Sequence, residues 1–135
     1  MATITKNRKE EKDIKEKEER IVFKAILTFQ EEMGISDDDL GRILSKDRST
    51  IHRWKAESRV PGILSDKHLR EAISHFIAIY RSLGAMFINK NDRKLWMTTN
   101  HPDFANNTPL DVIEESFEGI INLRRYLDYI RGRGA

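Results

Sequence analysis

Cysteine is absent from the 135 residues, which excludes disulfides and thiolate metal sites and suits a reducing compartment. No uninterrupted apolar stretch approaches the roughly 18 residues of a membrane span. Near the N-terminus, Lys6, Arg8 and Lys9 are followed by more charge and not by the apolar run of a signal peptide. These absences lead to the expectation of a soluble, cytoplasmic chain with no membrane partner. A bias of charge is also missing: the formal net charge is only +2, although 34% of residues are charged. Bulk electrostatics therefore do not announce a nucleic-acid binder, and any such role has to come from local distribution.

The usual catalytic signatures are missing too. His52, His68, His75 and His101 are scattered. Only His68 and His75 share an expected helix, seven apart, which is too long for an i,i+4 metal clamp. There is no glycine-rich phosphate loop and no nucleophile elbow. The acidic runs 37–39 and 114–115 fall at or near helix starts, where carboxylates favour the helix dipole without any chemical role. The expectation is a protein that is not an enzyme, with no cofactor and no metal site.

What is present is helical periodicity. Residues 1–20 mix Lys and Glu with few apolar side chains, so the composition predicts a charged, disordered arm, whose second half can extend the first helix through i,i+4 pairs such as Glu11–Lys15. Val22, Ala25, Ile26, Phe29 and Met33 then recur at helical spacing and stop at Gly34. Ser36, three residues before Asp39, starts a second helix with Leu40, Ile43 and Leu44 on its inner face. Asp47 caps a third, with Ile51 and Trp54 on its buried side, and "RVPG" (59–62) closes the unit.

Leu69, Ile73, Phe76, Ile77, Tyr80, Leu83 and Phe87 predict a helix of about five turns. "RKLWMTT" predicts one or two further turns, and 100–107 reads as a loop. Thr108-Pro109-Leu110-Asp111 is a strong helix start, and Ile120, Leu123, Leu127 and Ile130, after Gly119, carry a last helix to Gly132. No alternating run of strand length and no repeat is found. The fold class is all-α: a helix-turn-helix bundle over 21–62, then a small helical domain over 63–135.

The segment "DRSTIHRW" (47–54) raises the functional question. A helix-turn-helix reader needs a support helix, a tight turn and a second helix whose early side chains reach base edges. Ile51 and Trp54 face inward, which turns Arg48, Ser49, Thr50, His52 and Arg53 outward, with Lys55 and Arg59 placed for phosphates at the far end. Arginine can fork onto guanine, and hydroxyls can reach phosphate or base. From Arg48 to Arg59 there are four bases against one acid, Glu57. The residues by themselves leave two readings: a DNA-reading helix, or a capped bundle helix with a basic outer face. Asp37, Asp38 and Asp39 count against the first, because three carboxylates facing a duplex repel it.

A resemblance adds to this. "LGRILSKDRSTIHRWKAESRVP" (40–61) resembles the helix-turn-helix of Xre-type phage and bacterial repressors. Downstream, "AISHFIAIYRSLGAMF" (72–87), "RKLWMTTNHPDFANNTPLDVI" (93–113) and "GIINLRRYLDYIRGRG" (119–134) are similar to the C-terminal toxin-binding domain of Xre/MbcA/ParS antitoxins. The features that carry the likeness are Trp96, the loop with Asn100, Pro102 and Phe104, the Thr108–Asp111 start and the Arg-Gly ending. The resemblance implies a type II antitoxin, a homodimer that binds its own promoter through the first unit and sequesters a toxin through the second. The toxins of that family carry an RES domain and consume NAD; the antitoxin itself then binds no NAD.

On that reading Arg48, Ser49, Thr50, His52, Arg53 and Lys55 are the candidate DNA-binding residues. Arg131 and Arg133, on a flexible glycine-spaced tail, are candidate toxin-binding residues with Tyr126 and Tyr129 nearby. Such a tail can enter a cleft built for a dinucleotide's pyrophosphate and pair there bidentately; a frayed terminus without a role is the other reading of the same residues. Two further functions stay open: a stand-alone phage-like repressor without a toxin, and a toxin-binding module whose helix-turn-helix no longer reads DNA.

Overall fold

The computed structural model describes residues 2–132, with side chains from residue 7 onward. Seven α-helices follow one another: α1 (Ala2–Met33), α2 (Asp37–Leu44), α3 (Arg48–Glu57), α4 (Lys67–Met86), α5 (Lys90–Met97), α6 (Pro109–Glu115) and α7 (Phe117–Ile130). A single 3-10 turn, Pro102–Phe104, lies between α5 and α6. Among the described residues there is no strand, only an isolated bridge between His101 and Asn107. The chain is all-α, a helix-turn-helix unit followed by a C-terminal helical region.

Local chemistry accounts for the boundaries. Ser36 accepts from the Asp39 N–H at 3.1 Å and starts α2; Asp47 accepts from the Thr50 N–H at 2.8 Å and starts α3. Asp66 does the same for α4 through the Leu69 N–H at 3.0 Å. Thr108 and Asp111 form a reciprocal capping box around Pro109 at the start of α6. Gly34 ends α1 at φ +68° and Gly132 follows α7 at φ +78°, conformations open to glycine without a Cβ clash.

The turn between α2 and α3 is tight because Gly41 lets the chain fold onto itself. The Lys46 N–H donates to the Gly41 carbonyl at 2.8 Å, and a Cβ on Gly41 would lie 2.5 Å from the Lys46 carbonyl oxygen.

Two boundaries differ from the periodicity. The arm expected over 1–20 is helix: α1 begins at Ala2. Two of its acids, Glu16 and Glu19, have partners far along the chain. Glu19, only 7% exposed, accepts from the Gly62 N–H at 2.6 Å and from Arg59 at 2.9 Å. The Glu19 carbonyl also takes the Val60 N–H at 3.2 Å. A local reading of composition cannot see partners 40 residues away. At the other end, α7 starts at Phe117, two residues before Gly119, because Ser116 caps it through the Gly119 N–H at 3.1 Å.

One contiguous core runs through both halves. Ile51 and Trp54 bury the inner side of α3 against Leu40, Ile43 and Leu44 of α2. Phe29 of α1 stacks on Phe76 of α4 with centroids 4.3 Å apart and planes 4° from parallel. Leu123 and Leu127 of α7 close the far side against α4 and α6. At the α6–α7 corner Gly119 passes so close to the Val112 carbonyl that a Cβ there would overlap it. Gly119→Ala is therefore expected to destabilise the chain by about 3 kcal/mol through forced displacement of α6 from α7. The midpoint of urea unfolding checks this, and an unchanged midpoint would show that the corner relaxes freely.

Candidate DNA-reading helix and toxin-facing region

The six residues expected to meet DNA share one outer face of α3, but in different states. Arg48, Ser49, His52, Arg53 and Lys55 are exposed and Thr50 is half-buried. Ser49 donates its hydroxyl to the capping Asp47 at 3.1 Å, so it serves the cap as well as the surface. Arg48 and Lys55 are paired with acids that start α2, and His52 lies beside one of them. Lys55 Nζ lies 2.5 Å from Asp37 Oδ1, His52 Nε2 lies 3.4 Å from Asp37 Oδ2, and Arg48 Nε lies 3.8 Å from Asp38 Oδ1. Arg53 has no ion-pair partner within 4 Å among the described residues. Arg59, expected at a phosphate, is held instead by Glu19, Glu57 and Glu16 at 2.9, 3.3 and 3.9 Å.

Asp37 and Asp38 thus face α3, Asp37 beside Lys55 and His52 and Asp38 beside Arg48. Asp37 is further fixed by the Gln30 side chain of α1, which donates to it at 2.7 Å. The hydrogen bond from Lys55, then that from Gln30, holds the Asp37 carboxyl below the ordinary value of 3.8. Spacing alone shows that 37–39 start a helix; that two of these acids reach across the turn to α3 needs the steep packing of α2 on α3.

In the C-terminal region, an aromatic cluster gathers the residues that stood out in the sequence. Tyr126 donates its hydroxyl to Asp103 at 2.8 Å, and its ring meets Phe104 edge-on at 4.8 Å. Phe104 in turn meets Trp96 at 6.5 Å, and a His101 ring nitrogen is 3.2 Å from the Trp96 carbonyl. Tyr126 therefore helps hold the 100–107 loop.

Tyr129, by contrast, is 72% exposed at the end of α7, with Ile130 beside it also exposed. Arg131 does not begin a loose tail: it donates to the Ser82 hydroxyl at 2.9 Å, and Ser82 is buried in α4. The expectation of Arg131 on a flexible end is corrected by that anchor, which the glycine spacing concealed. Arg133 lies outside the described residues.

Sequence periodicity missed a second exposed apolar place. Ile88 is 96% and Leu95 64% exposed, and Leu95 lines a groove of about 300 Å³ with Phe87, Asp92, Trp96, Thr99 and His101. Ile88 lies between Phe87, the C-cap of α4, and Asn89, the N-cap of α5, outside both helices.

Two family models match the chain. Residues 14–72 match the antitoxin Xre-like helix-turn-helix domain, and residues 82–133 match the antitoxin Xre/MbcA/ParS C-terminal toxin-binding domain. The chain belongs to the Xre/MbcA/ParS-type antitoxins. No curated protein matches it. In this antitoxin α2 and α3 fall in the first match, and the aromatic cluster, the Leu95 groove and Tyr129 fall in the second. No helix among the described residues is long and apolar enough to cross a membrane, and no group of three or more His, Asp or Glu among them is placed to hold a metal.

The lowered Asp37 has a consequence for stability. A carboxyl whose folded pKa is depressed stabilises the fold above its unfolded pKa and loses that contribution as pH falls through the folded value. The contribution of Asp37 is present near neutrality and lost below pH 3.8. Asp37→Asn is expected to be less stable than wild type near neutral pH, with the gap narrowing below pH 3.8. Urea unfolding of both chains at the two pH values measures it; a gap independent of pH would remove Asp37 as the cause.

Proposed function

We propose that this antitoxin neutralises an RES-domain, NAD-consuming toxin by direct binding and represses its own operon through α3, acting in the cytoplasm as a homodimer. It catalyses nothing in this reading. The observation that carries it is the union, in one core, of a helix-turn-helix with an exposed polar face and a toxin-binding segment that leaves Ile88, Leu95 and Tyr129 in solvent. Exposed apolar and aromatic side chains of that kind are the usual anchors of a protein interface.

On α3 the base-reading role falls first to Arg53, which has no competing carboxylate, with Arg48, Ser49, Thr50 and His52 on the same face and Lys55 on phosphate. Two-fold operator geometry then calls for two copies. Arg53→Ala should cost about 1–3 kcal/mol against the antitoxin's own promoter and relax discrimination against unrelated DNA. Gel shifts at fixed salt read both quantities, and an unchanged ratio would remove Arg53 from base reading.

The toxin-facing role falls to Tyr129 and Leu95, with Tyr126 and Arg131 shaping the surface around them and Arg133 beyond it. Leu95→Asp and Tyr129→Ala should each weaken toxin capture by about 2 kcal/mol or more. Co-purification with the co-expressed toxin, and growth of cells expressing both, check this. Ending the chain at Gly132 removes Arg133, and toxin neutralisation that survives this truncation would dismiss the tail.

One specific observation favours a second reading, a toxin-binding module that no longer reads DNA: Arg48, His52 and Lys55 lie against Asp37 and Asp38. Absence of any promoter shift at low salt, with toxin neutralisation intact, would select it.

A further inference from the structure

We propose that Asp37 and Asp38 are an internal stand-in for DNA phosphates, which sets the DNA selectivity of the antitoxin by holding the bases of α3 until a matching duplex displaces them. The inference rests on the DNA-reading role of α3 and adds residues that are themselves no readers. The pairs join different helices, so only the packing of α2 on α3 places them. Asp37 spans Lys55 at 2.5 Å and His52 at 3.4 Å, and Asp38 takes Arg48 at 3.8 Å. Asp37 is no freely turning surface acid, because Gln30, 4% exposed on α1, grips the same oxygen at 2.7 Å. The carboxylates also occupy the first turn of α2, whose dipole favours negative charge there.

A duplex lying on α3 presents negative phosphates to Arg48 and Lys55, and to His52 when it carries a proton. A base that stays with its Asp neutralises no phosphate and releases no counterion, whereas one that turns to a phosphate gives up its pair and leaves a carboxylate beside the duplex. The sequence-independent attraction is weakened either way. Contacts made by Arg53 escape this loss, because among the described residues no acid of α2 lies within 4 Å of it. Binding to unrelated DNA is suppressed more than binding to a site that Arg53 can read, and specificity is the difference between the two.

The experiment compares wild type, Asp38→Asn, the Asp37→Asn/Asp38→Asn double variant and a charge-matched control, Glu10→Gln/Asp13→Asn, whose changes lie on exposed α1 positions. Each protein is titrated by fluorescence anisotropy with its own promoter fragment and with an unrelated duplex, across a salt series. Asp38 is 65% exposed and engages only Arg48 within 4 Å, so Asp38→Asn keeps the test valid if the double variant unfolds.

The expected result is roughly three- to tenfold tighter binding of the Asp variants to the unrelated duplex. A smaller gain on the promoter should accompany it, with a salt slope steeper by about 0.9 per base freed. Equal gains from the control pair would overturn the inference in favour of bulk charge. Binding of both duplexes with affinity and slope unchanged in the Asp variants would overturn it while leaving the DNA-reading role intact. Failure of every protein, the Asp variants included, to bind either duplex at low salt would remove that role and this inference with it.

Discussion

Phe29 lies flat on Phe76, and through that stack α1 of the helix-turn-helix unit shares a core with α4 of the C-terminal region. Tyr80, one turn further along α4, tilts against the same Phe29 ring at 5.1 Å and donates its hydroxyl to Glu32 of α1. Arg93 of α5 completes the joint, with Nε 3.1 Å from Glu32 and the guanidinium over the Tyr80 ring at 5.9 Å. Both members of that ion pair are largely buried, so a packing that buried one without the other would strand a charge away from water. The apolar stack supplies the attraction, and the pair penalises any packing that does not bring its members together.

That joint has a geometric consequence for function. Residues matched to the helix-turn-helix and residues matched to the toxin-binding domain are packed on one another, with α2 touching α4, α6 and α7. Leu95 and Trp96, at the groove, follow Arg93 by one turn or less on the same helix. Gln30, which holds Asp37, precedes Glu32 by two residues on α1. The Leu95 groove and the acids beside α3 are therefore both tied to α1, through Arg93–Glu32 and through Gln30–Asp37.

Local signals made much of this legible. Ser36, Asp47 and Thr108 announce their helices because a cap is a contact over three residues, and each forms the hydrogen bond that its spacing implies. Ile51 and Trp54 are buried as their period required. The long-range partners of the arm were illegible for the opposite reason. Glu16 and Glu19 look like solvated charges until Arg59 and Gly62 are brought beside them. Arg131 was misread in the same way, since nothing near it in sequence points to Ser82.

The candidate site divides along the same line. Which residues of α3 point outward followed from the sequence alone, because a helix with two buried positions three apart has only one outer face. The charge those residues present to a partner was decided by the tertiary structure. Arg48, His52 and Lys55 meet carboxylates about ten to eighteen residues earlier in the chain, and only the turn at Gly41 and the packing of Leu40 and Leu44 against Ile51 and Trp54 bring them within 4 Å. Periodicity is a property of one helix and survives in its sequence. Electrostatic pairing between helices depends on their crossing, and the crossing is set by the core.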